Sequence, residues 1–197
     1  MSPLKYPGGV TPPKSEAKPK GKKLNLRVAP GNRGLDFEAE INATNDYYSE
    51  KGLALITKRP TPIQAVKVDY SHGPKITEAF FLSQSTTDYN GVYKGRYIDF
   101  EAKSTRSKTS FPLSNIPPQQ ISHLEKVIAN GGIAFFLVNW HSIGETYLVP
   151  AQYIIDFYKS RPRSSITLEE MKAHSYLVKE GYRPRYDYLP LLIEHLL

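Results

Sequence analysis

Ser83–Leu113 reads SQSTTDYNGVYKGRYIDFEAKSTRSKTSFPL, and the fold depends on how its middle is read. From Tyr97 to Lys103 the residues alternate. Ile98, Phe100 and Ala102 point one way; Tyr97, Asp99, Glu101 and Lys103 point the other. A period of two is a strand, so Glu101 and Lys103 share a face. The pairs Asn90-Gly91 and Lys94-Gly95 permit turns that return Asp88 to the side of that strand. Two carboxylates with an ammonium two residues on are what a Mg²⁺-dependent phosphodiester nuclease needs. Hard oxygen ligands hold the cation, and Lys103 sits beside the attacking water. The plainer alternative is a solvated face carrying an exposed ion pair. Apolar neighbouring strands, an Asp delivered by a hairpin, and a crowd of basic residues (Lys94, Arg96, Arg106, Lys108) favour the catalytic reading.

Upstream, NRGLDFEAEINATNDYYSEKG (32–52) predicts a helix. Leu35, Ile41 and Tyr48 fall on one side, with Phe37 and Tyr47 flanking. Asp36, Glu38 and Glu40 suit the positive end of its dipole, and Gly52 caps its last turn. Leu53–Lys58 predicts a short strand. Arg59-Pro60-Thr61-Pro62 then stiffens the backbone, because each proline fixes its own φ and biases the preceding residue toward extended geometry. Gln64–Tyr70 alternates, Ser71-His72-Gly73-Pro74 signals a turn, and Ile76–Leu82 returns as another strand. Residues 59–77 are too polar on one side for a core hairpin and are expected to project from the body as two arms.

Downstream, a helix is expected over 119–130, with Ile121, Leu124, Val127 and Ile128 as its stripe and Gly131-Gly132 at its end. Ile133–Trp140 is apolar almost throughout, which predicts a buried strand. Glu145–Val149 predicts another strand, Gln152–Tyr158 an amphipathic helix, and Thr167 with Glu170 a capping box. Tyr188–Leu197 reads as an apolar helix or packed tail. The order is that of an α/β body on one sheet.

A chain of 197 residues is one domain by default, and 40% hydrophobic residues suffice for its core. Tyr outnumbers Phe by 14 to 8, as expected for many half-buried rings with a polar tip. The absence of Cys excludes disulfides and thiolate metal sites. No apolar run is long enough to cross a membrane and no secretory signal opens the chain, so the cytoplasm is the expected compartment. Five His without HExxH spacing give no zinc signature; P-loop, GxSxG and dinucleotide fingerprints are missing.

The net charge of +7 is unevenly placed. Lys5, Lys14, Lys18, Lys20, Lys22, Lys23, Arg27 and Arg33 face one early acid, Glu16; from Gly34 on, charges balance. Residues 1–30, rich in Pro, Gly and Lys, are expected to form a disordered basic arm ahead of a nuclease domain over 31–197. Such an arm suits a polyanionic partner, most often nucleic acid; a solubilising tail is the alternative.

Further residues have weaker claims. Thr86 offers a neutral hydroxyl ligand two residues before Asp88, although turn threonines are common. Gln120, near the start of the second helix, could reach a metal through its amide oxygen, which spacing alone does not establish. For Asp99 a salt bridge or a hydrogen bond to the loop is the favoured reading. Glu38 and Glu40 are weaker candidates: both are expected to belong to the helix's N-terminal charge pattern, with a place behind the site as the alternative for Glu38.

The stretch STTDYNGVYKGRYIDFEAKSTRSKTSFPL (85–113) and KRPTPIQ (58–64) closely resemble the RecU family of bacterial Holliday junction resolvases. Weaker matches run from Asn32-Arg33-Gly34 to PRYDYL (184–189). The resemblance implies a restriction-endonuclease-like PD-(D/E)xK core: a mixed central sheet flanked by helices, with residues 59–77 as a stalk that reaches into the open centre of a four-way junction. It implies a homodimer that makes paired nicks, and it allows for a recombinase partner. It makes Thr86, Asp88, Glu101 and Gln120 the Mg²⁺ ligands, with Mn²⁺ able to substitute, and Lys103 the transition-state stabiliser. Arg33, Lys58, Arg59, Lys67, Lys75, Lys94, Arg96, Arg106 and Lys108 are the expected DNA contacts. The chain departs from the family pattern twice. Its stalk tip, Ser71–Lys75, carries one Lys and one His, and Pro117-Pro118-Gln119 stands before Gln120 where the family often has His or Asp.

The leading expectation is therefore a dimeric, Mg²⁺-dependent endonuclease that resolves Holliday junctions in recombination, repair and chromosome segregation, cytoplasmic and associated with the nucleoid. Two cuts on opposite strands need two sites, which a two-fold dimer supplies. Two other readings compete: a nuclease of the same fold with another DNA target, and a non-catalytic accessory protein that binds branched DNA or modulates a recombinase.

Overall fold

The computed structural model describes residues 33–81 and 86–197, so the basic arm expected over 1–30 lies outside them. Helix α1 spans Arg33–Glu50. Its buried face is Phe37, Ile41, Thr44, Asn45 and Tyr48, a three-to-four spacing that makes Phe37 central rather than flanking. Gly52, at φ +64°, ends it, and Leu53 donates its N–H to the Tyr48 carbonyl at 2.8 Å.

Strand β1 (Leu55–Lys58) follows, then β2 (Ile63–Asp69) and β3 (Lys75–Phe81). These last two pair with each other as a separate antiparallel ribbon, exposed along nearly its whole length. The projection is thus real, but it is longer than expected. The strand read over 76–82 is its second arm and not part of the body sheet. Val66 interrupts the period-two pattern: Ala65 pairs with Ala79 and Lys67 with Glu78, leaving an extra residue on β2.

β4 (Tyr89–Tyr93) and β5 (Arg96–Thr105) form a hairpin. Asn90-Gly91, expected as a turn, lies inside β4 instead. Gly91 is where β1 passes closely, since a Cβ there would meet the Leu55 carbonyl oxygen at 2.1 Å. The turn is Lys94-Gly95, with φ of +48° and +76°, as a two-residue hairpin with both central residues left-handed requires.

β6 (Ser110–Pro112) leads to α2 (Pro118–Ala129), which begins with proline where no amide donor is needed. α2 crosses to β7 (Ile133–Trp140), parallel to β5. β8 (Glu145–Pro150) returns antiparallel, followed by α3 (Ala151–Ser160), β9 (Ser165–Thr167) and α4 (Leu168–Ala173). The capping box is present: the Glu170 N–H donates to the Thr167 hydroxyl at 3.2 Å, and the Thr167 N–H to the Glu170 carboxylate at 3.0 Å. β10 (Tyr176–Leu177), β11 (Lys179–Glu180), β12 (Tyr186–Asp187) and α5 (Leu189–His195) complete the described chain.

Among the described residues the central sheet has six strands in the order β1-β4-β5-β7-β8-β10, mixed because only β5 and β7 run parallel. Both its faces are covered, and β7 shows why its sequence lacks alternation. Ile133, Phe135 and Leu137 enter the core beneath α1 and α5; Ala134, Phe136, Val138 and Trp140 enter the core beneath α2, α3 and α4. On the α1 side Tyr89, Phe100 and Phe135 stand in register across three strands. Their rings stack at 4.8 and 4.6 Å, the spacing of the strands themselves. This stack fixes β4 against β5 one residue from Asp88 and from Glu101.

Candidate active site

The pairing Tyr89↔Phe100 sets Asp88 beside Glu101 at the end of β4. The contacts are specific. The Asp88 N–H donates to Glu101 Oε2 at 2.9 Å, and Asp88 Oδ2 accepts the Ala102 N–H at 3.1 Å. Lys103 Nζ lies 2.8 Å from Glu101 Oε1, because residues two apart on a strand share a face. Gln120 Nε2 donates to the same Oε1 at 2.6 Å from the first turn of α2. The Pro117-Pro118 entry, a departure from the family pattern, therefore starts the helix in a register that brings Gln120 to the carboxylates.

Glu101 has 3% of its side chain exposed and Lys103 18%. Burial first, and the Asp88 charge second, push the Glu101 carboxyl up to about 7, against the pull of Lys103 and Gln120. Burial likewise raises Asp88. The Ala102 N–H opposes that rise, and the carboxylate of Glu38 adds to it. A buried and a half-buried carboxylate thus share one ammonium, an excess of negative charge that a divalent cation would neutralise. Gln120 Oε1 is buried with no hydrogen-bond partner, while the amide nitrogen of the same group is the atom that meets Glu101. Two carboxylates and an amide oxygen are hard donors of the kind Mg²⁺ takes, with water completing its shell.

The other expected residues are placed as follows. Thr86 is half-buried at a bend two residues before Asp88, and its hydroxyl is not among the contacts joining Asp88, Glu101, Lys103 and Gln120. Glu38 is close enough to act on Asp88 and pairs with Lys58. Glu40 turns away to accept from the Tyr186 hydroxyl at 2.8 Å. Arg106 and Lys108 are exposed just past β5, on the site's side of the hairpin. Lys94 and Arg96 are at the opposite end, five residues of β4 from Asp88, or about 16 Å at strand rise. Arg96 there holds the Gly131 carbonyl at 2.7 Å. Lys67 pairs with Glu78 across the projecting ribbon, and Lys75 is exposed at its tip. Arg33 opens α1, its side chain outside the described set.

Arg59, expected as a DNA contact, has its charge already engaged. Its guanidinium donates to Asp99 Oδ2 at 2.7 Å, and its backbone N–H donates to the Asp88 carbonyl at 2.7 Å. Asp99, entirely buried, also receives Tyr97 Oη at 2.8 Å and the Thr87 hydroxyl, and His123 Nε2 lies 2.8 Å from it. The salt bridge and loop contact expected of Asp99 are both present. His123 and Tyr97 were not foreseen. The available signal was their spacing: Tyr97 is two residues from Asp99 on one strand, and His123 is one helical turn from Gln120.

A protein-family model described as Recombination protein U matches residues 32–194. The chain belongs to the RecU family. Its relatives include the Holliday junction resolvase RecU of Lactococcus lactis subsp. cremoris (strain MG1363), 52% identical over 177 residues, covering 88% of this chain and 82% of that protein. The Holliday junction resolvase RecU of Geobacillus kaustophilus (strain HTA426) is 45% identical over 201 residues, covering 96% of both. Among solved structures, Archaeoglobus fulgidus Hjc, a Holliday junction resolvase, gives a TM-score of 0.42 at 11% identity, covering 73% of this chain and 94% of that one. RecU membership fits the observed mixed sheet, flanking helices and protruding ribbon. Among the described residues no helix is long and apolar enough to cross a membrane.

Proposed function

We propose that this RecU chain is a divalent-cation-dependent, structure-specific endonuclease that cuts four-way DNA junctions with paired symmetric nicks, acting as a homodimer. The carrying observation is the convergence on Glu101. Lys103 and Gln120 meet at one of its oxygens and the Asp88 N–H at the other, within a chain half identical to a protein named as a Holliday junction resolvase. Asp88, Glu101 and Gln120 would hold the cation, with Thr86 a further candidate from the bend before Asp88. When bound, Mg²⁺, or Mn²⁺ in its place, supplies Lewis-acid polarisation of the scissile phosphate and acidifies a coordinated water. The chain's own groups do the rest. The Lys103 ammonium orients the attacking water and offsets charge developing on the phosphorus oxygens as the P–O bond breaks. The Asp88 N–H and the Gln120 amide hold Glu101 in one orientation.

The ribbon β2–β3 is the stalk, following Arg59 and reaching its tip between Asp69 and Lys75. It and the arm over 1–30, ahead of a nuclease domain over 31–197, select branched DNA. A recombinase is a further partner, and the nucleoid is the place of action. The test compares cleavage of a mobile four-way junction, a flap and plain duplex, in Mg²⁺ and in EDTA, by wild type and Asp88→Asn. Symmetric cutting of the junction alone, lost in EDTA and in Asp88→Asn with binding kept, is the expected result. An Asp88→Asn protein that cuts at the wild-type rate ends the assignment.

A further inference from the structure

The carboxylate of Asp99 is a densely engaged buried group outside the proposed metal-binding set. It is 0% exposed, and it touches four other side chains. One oxygen takes the Thr87 hydroxyl; the other takes Arg59, Tyr97 and His123. Apart from Tyr97, on its own strand, these come from distinct parts of the molecule. Arg59 is the outgoing root of the stalk, four residues before β2. Thr87 lies on the returning side, immediately before Asp88. His123 is on α2, three residues after Gln120 and so on the same side of the helix.

Arg59 makes the connection closer still. Its side chain reaches Asp99 while its backbone N–H holds the Asp88 carbonyl at 2.7 Å. Pro60 and Pro62 follow it, so a tilt of the stalk is not absorbed by a flexible joint and reaches Arg59. A buried carboxylate demands its donors, so these elements cannot move independently without leaving Asp99 unpaired.

We infer that Asp99 is a positioning residue that couples the stalk to the cleavage site, gathering both stalk roots and α2 onto β5 so that seating the stalk in branched DNA sets the spacing of Asp88, Glu101 and Gln120. This rests on the nuclease reading of the site. Arg59 then contributes to rate at saturating junction, not to DNA affinity.

The experiment measures junction affinity and single-turnover cleavage at saturating enzyme. It compares wild type, Asp88→Asn, Arg59→Met, Arg59→Lys, a stalk with Tyr70–Pro74 replaced by Asn-Gly, and that truncation combined with Arg59→Met. Arg59→Met is expected to slow cleavage ~30-fold or more with affinity within ~3-fold, and Arg59→Lys to restore most of the rate. The truncation slows wild type at saturation but adds nothing to Arg59→Met, because both break the same link. Where Arg59→Met does not fold, Arg59→Gln, neutral but still a donor, takes its place with the same outcomes. Wild-type rate in the Arg59 variant overturns the inference. So does affinity lost in step with rate and with a shallower salt slope, the mark of a phosphate contact. So does a truncation without effect at saturation, or one whose effect multiplies with that of Arg59→Met. A wild type that does not cut, or an Asp88→Asn that does, overturns the nuclease reading instead.

Discussion

Glu101→Gln is expected to stabilise the metal-free protein at pH 8 while abolishing cleavage. In the wild type, burial and the neighbouring Asp88 lift the Glu101 carboxyl from 4.5 to about 7. That difference is worth ~3 kcal/mol. Because the folded value lies above the unfolded one, the group's contribution to stability is full below about 4.5 and is lost as pH rises through about 7. An amide never ionises and escapes that loss. It does give up the Lys103 ion pair and leaves that ammonium beside Asp88 alone, so the net gain at pH 8.5 is about 1–2 kcal/mol. For a chain of this size that is a rise of ~3–6 °C in Tm. Thermal unfolding followed by circular dichroism in EDTA at pH 5, 7 and 8.5 measures it. The gap between variant and wild type should be small at pH 5, where the wild-type carboxyl is protonated, and widest at pH 8.5. Mg²⁺ at ten times its Kd should then stabilise the wild type by about 1.4 kcal/mol and leave the variant unmoved. A gap independent of pH, or a variant less stable at pH 8.5 in EDTA, would refute the reasoning.

Other substitutions probe separate parts of the same structure. Lys103→Met should cut ~100-fold more slowly with junction affinity retained. Lys103 lowers both Asp88 and Glu101, so its loss should also move the acidic limb of the pH–rate profile to higher pH; an unmoved limb would count against its place beside them. Gly91→Ala puts a methyl 2.1 Å from the Leu55 carbonyl, which must push β1 off β4. A loss of about 1–3 kcal/mol or more in urea unfolding is expected. Phe135→Ala removes the end of the ring stack and should cost about 3–5 kcal/mol in the same assay, with m unchanged.

The proposed catalytic set was legible because it is largely local. Glu101 and Lys103 share a strand, and a period of two puts them on one face whatever the rest of the chain does. Asp88 reaches them through a single hairpin turn at Lys94-Gly95. Gln120 is on the next helix, one crossover away; its spacing did not establish it, and the family resemblance singled it out. Misreadings arose where two patterns were locally equivalent. Asn90-Gly91 has turn chemistry, yet only the approach of β1 shows that glycine is needed there for space. The strand over 76–82 has the composition of a body strand and became the second arm of the stalk because its pairing partner is β2.

By itself, then, the sequence determined the class of fold and the candidate chemistry: a period of two put Glu101 and Lys103 on one face of β5, and an almost unbroken apolar run marked β7 as a strand buried on both faces. Only the tertiary structure decided which basic residues are spare and which are committed. Arg59 stands among basic residues in the chain, but long-range pairing with Asp99 engages its charge and ties it to the site. Lys94 and Arg96 are near Glu101 in sequence and far from Asp88 in space, because a hairpin carries its turn away from its open end. A side chain's type is written in the chain; whether its charge is already satisfied depends on partners tens of residues away.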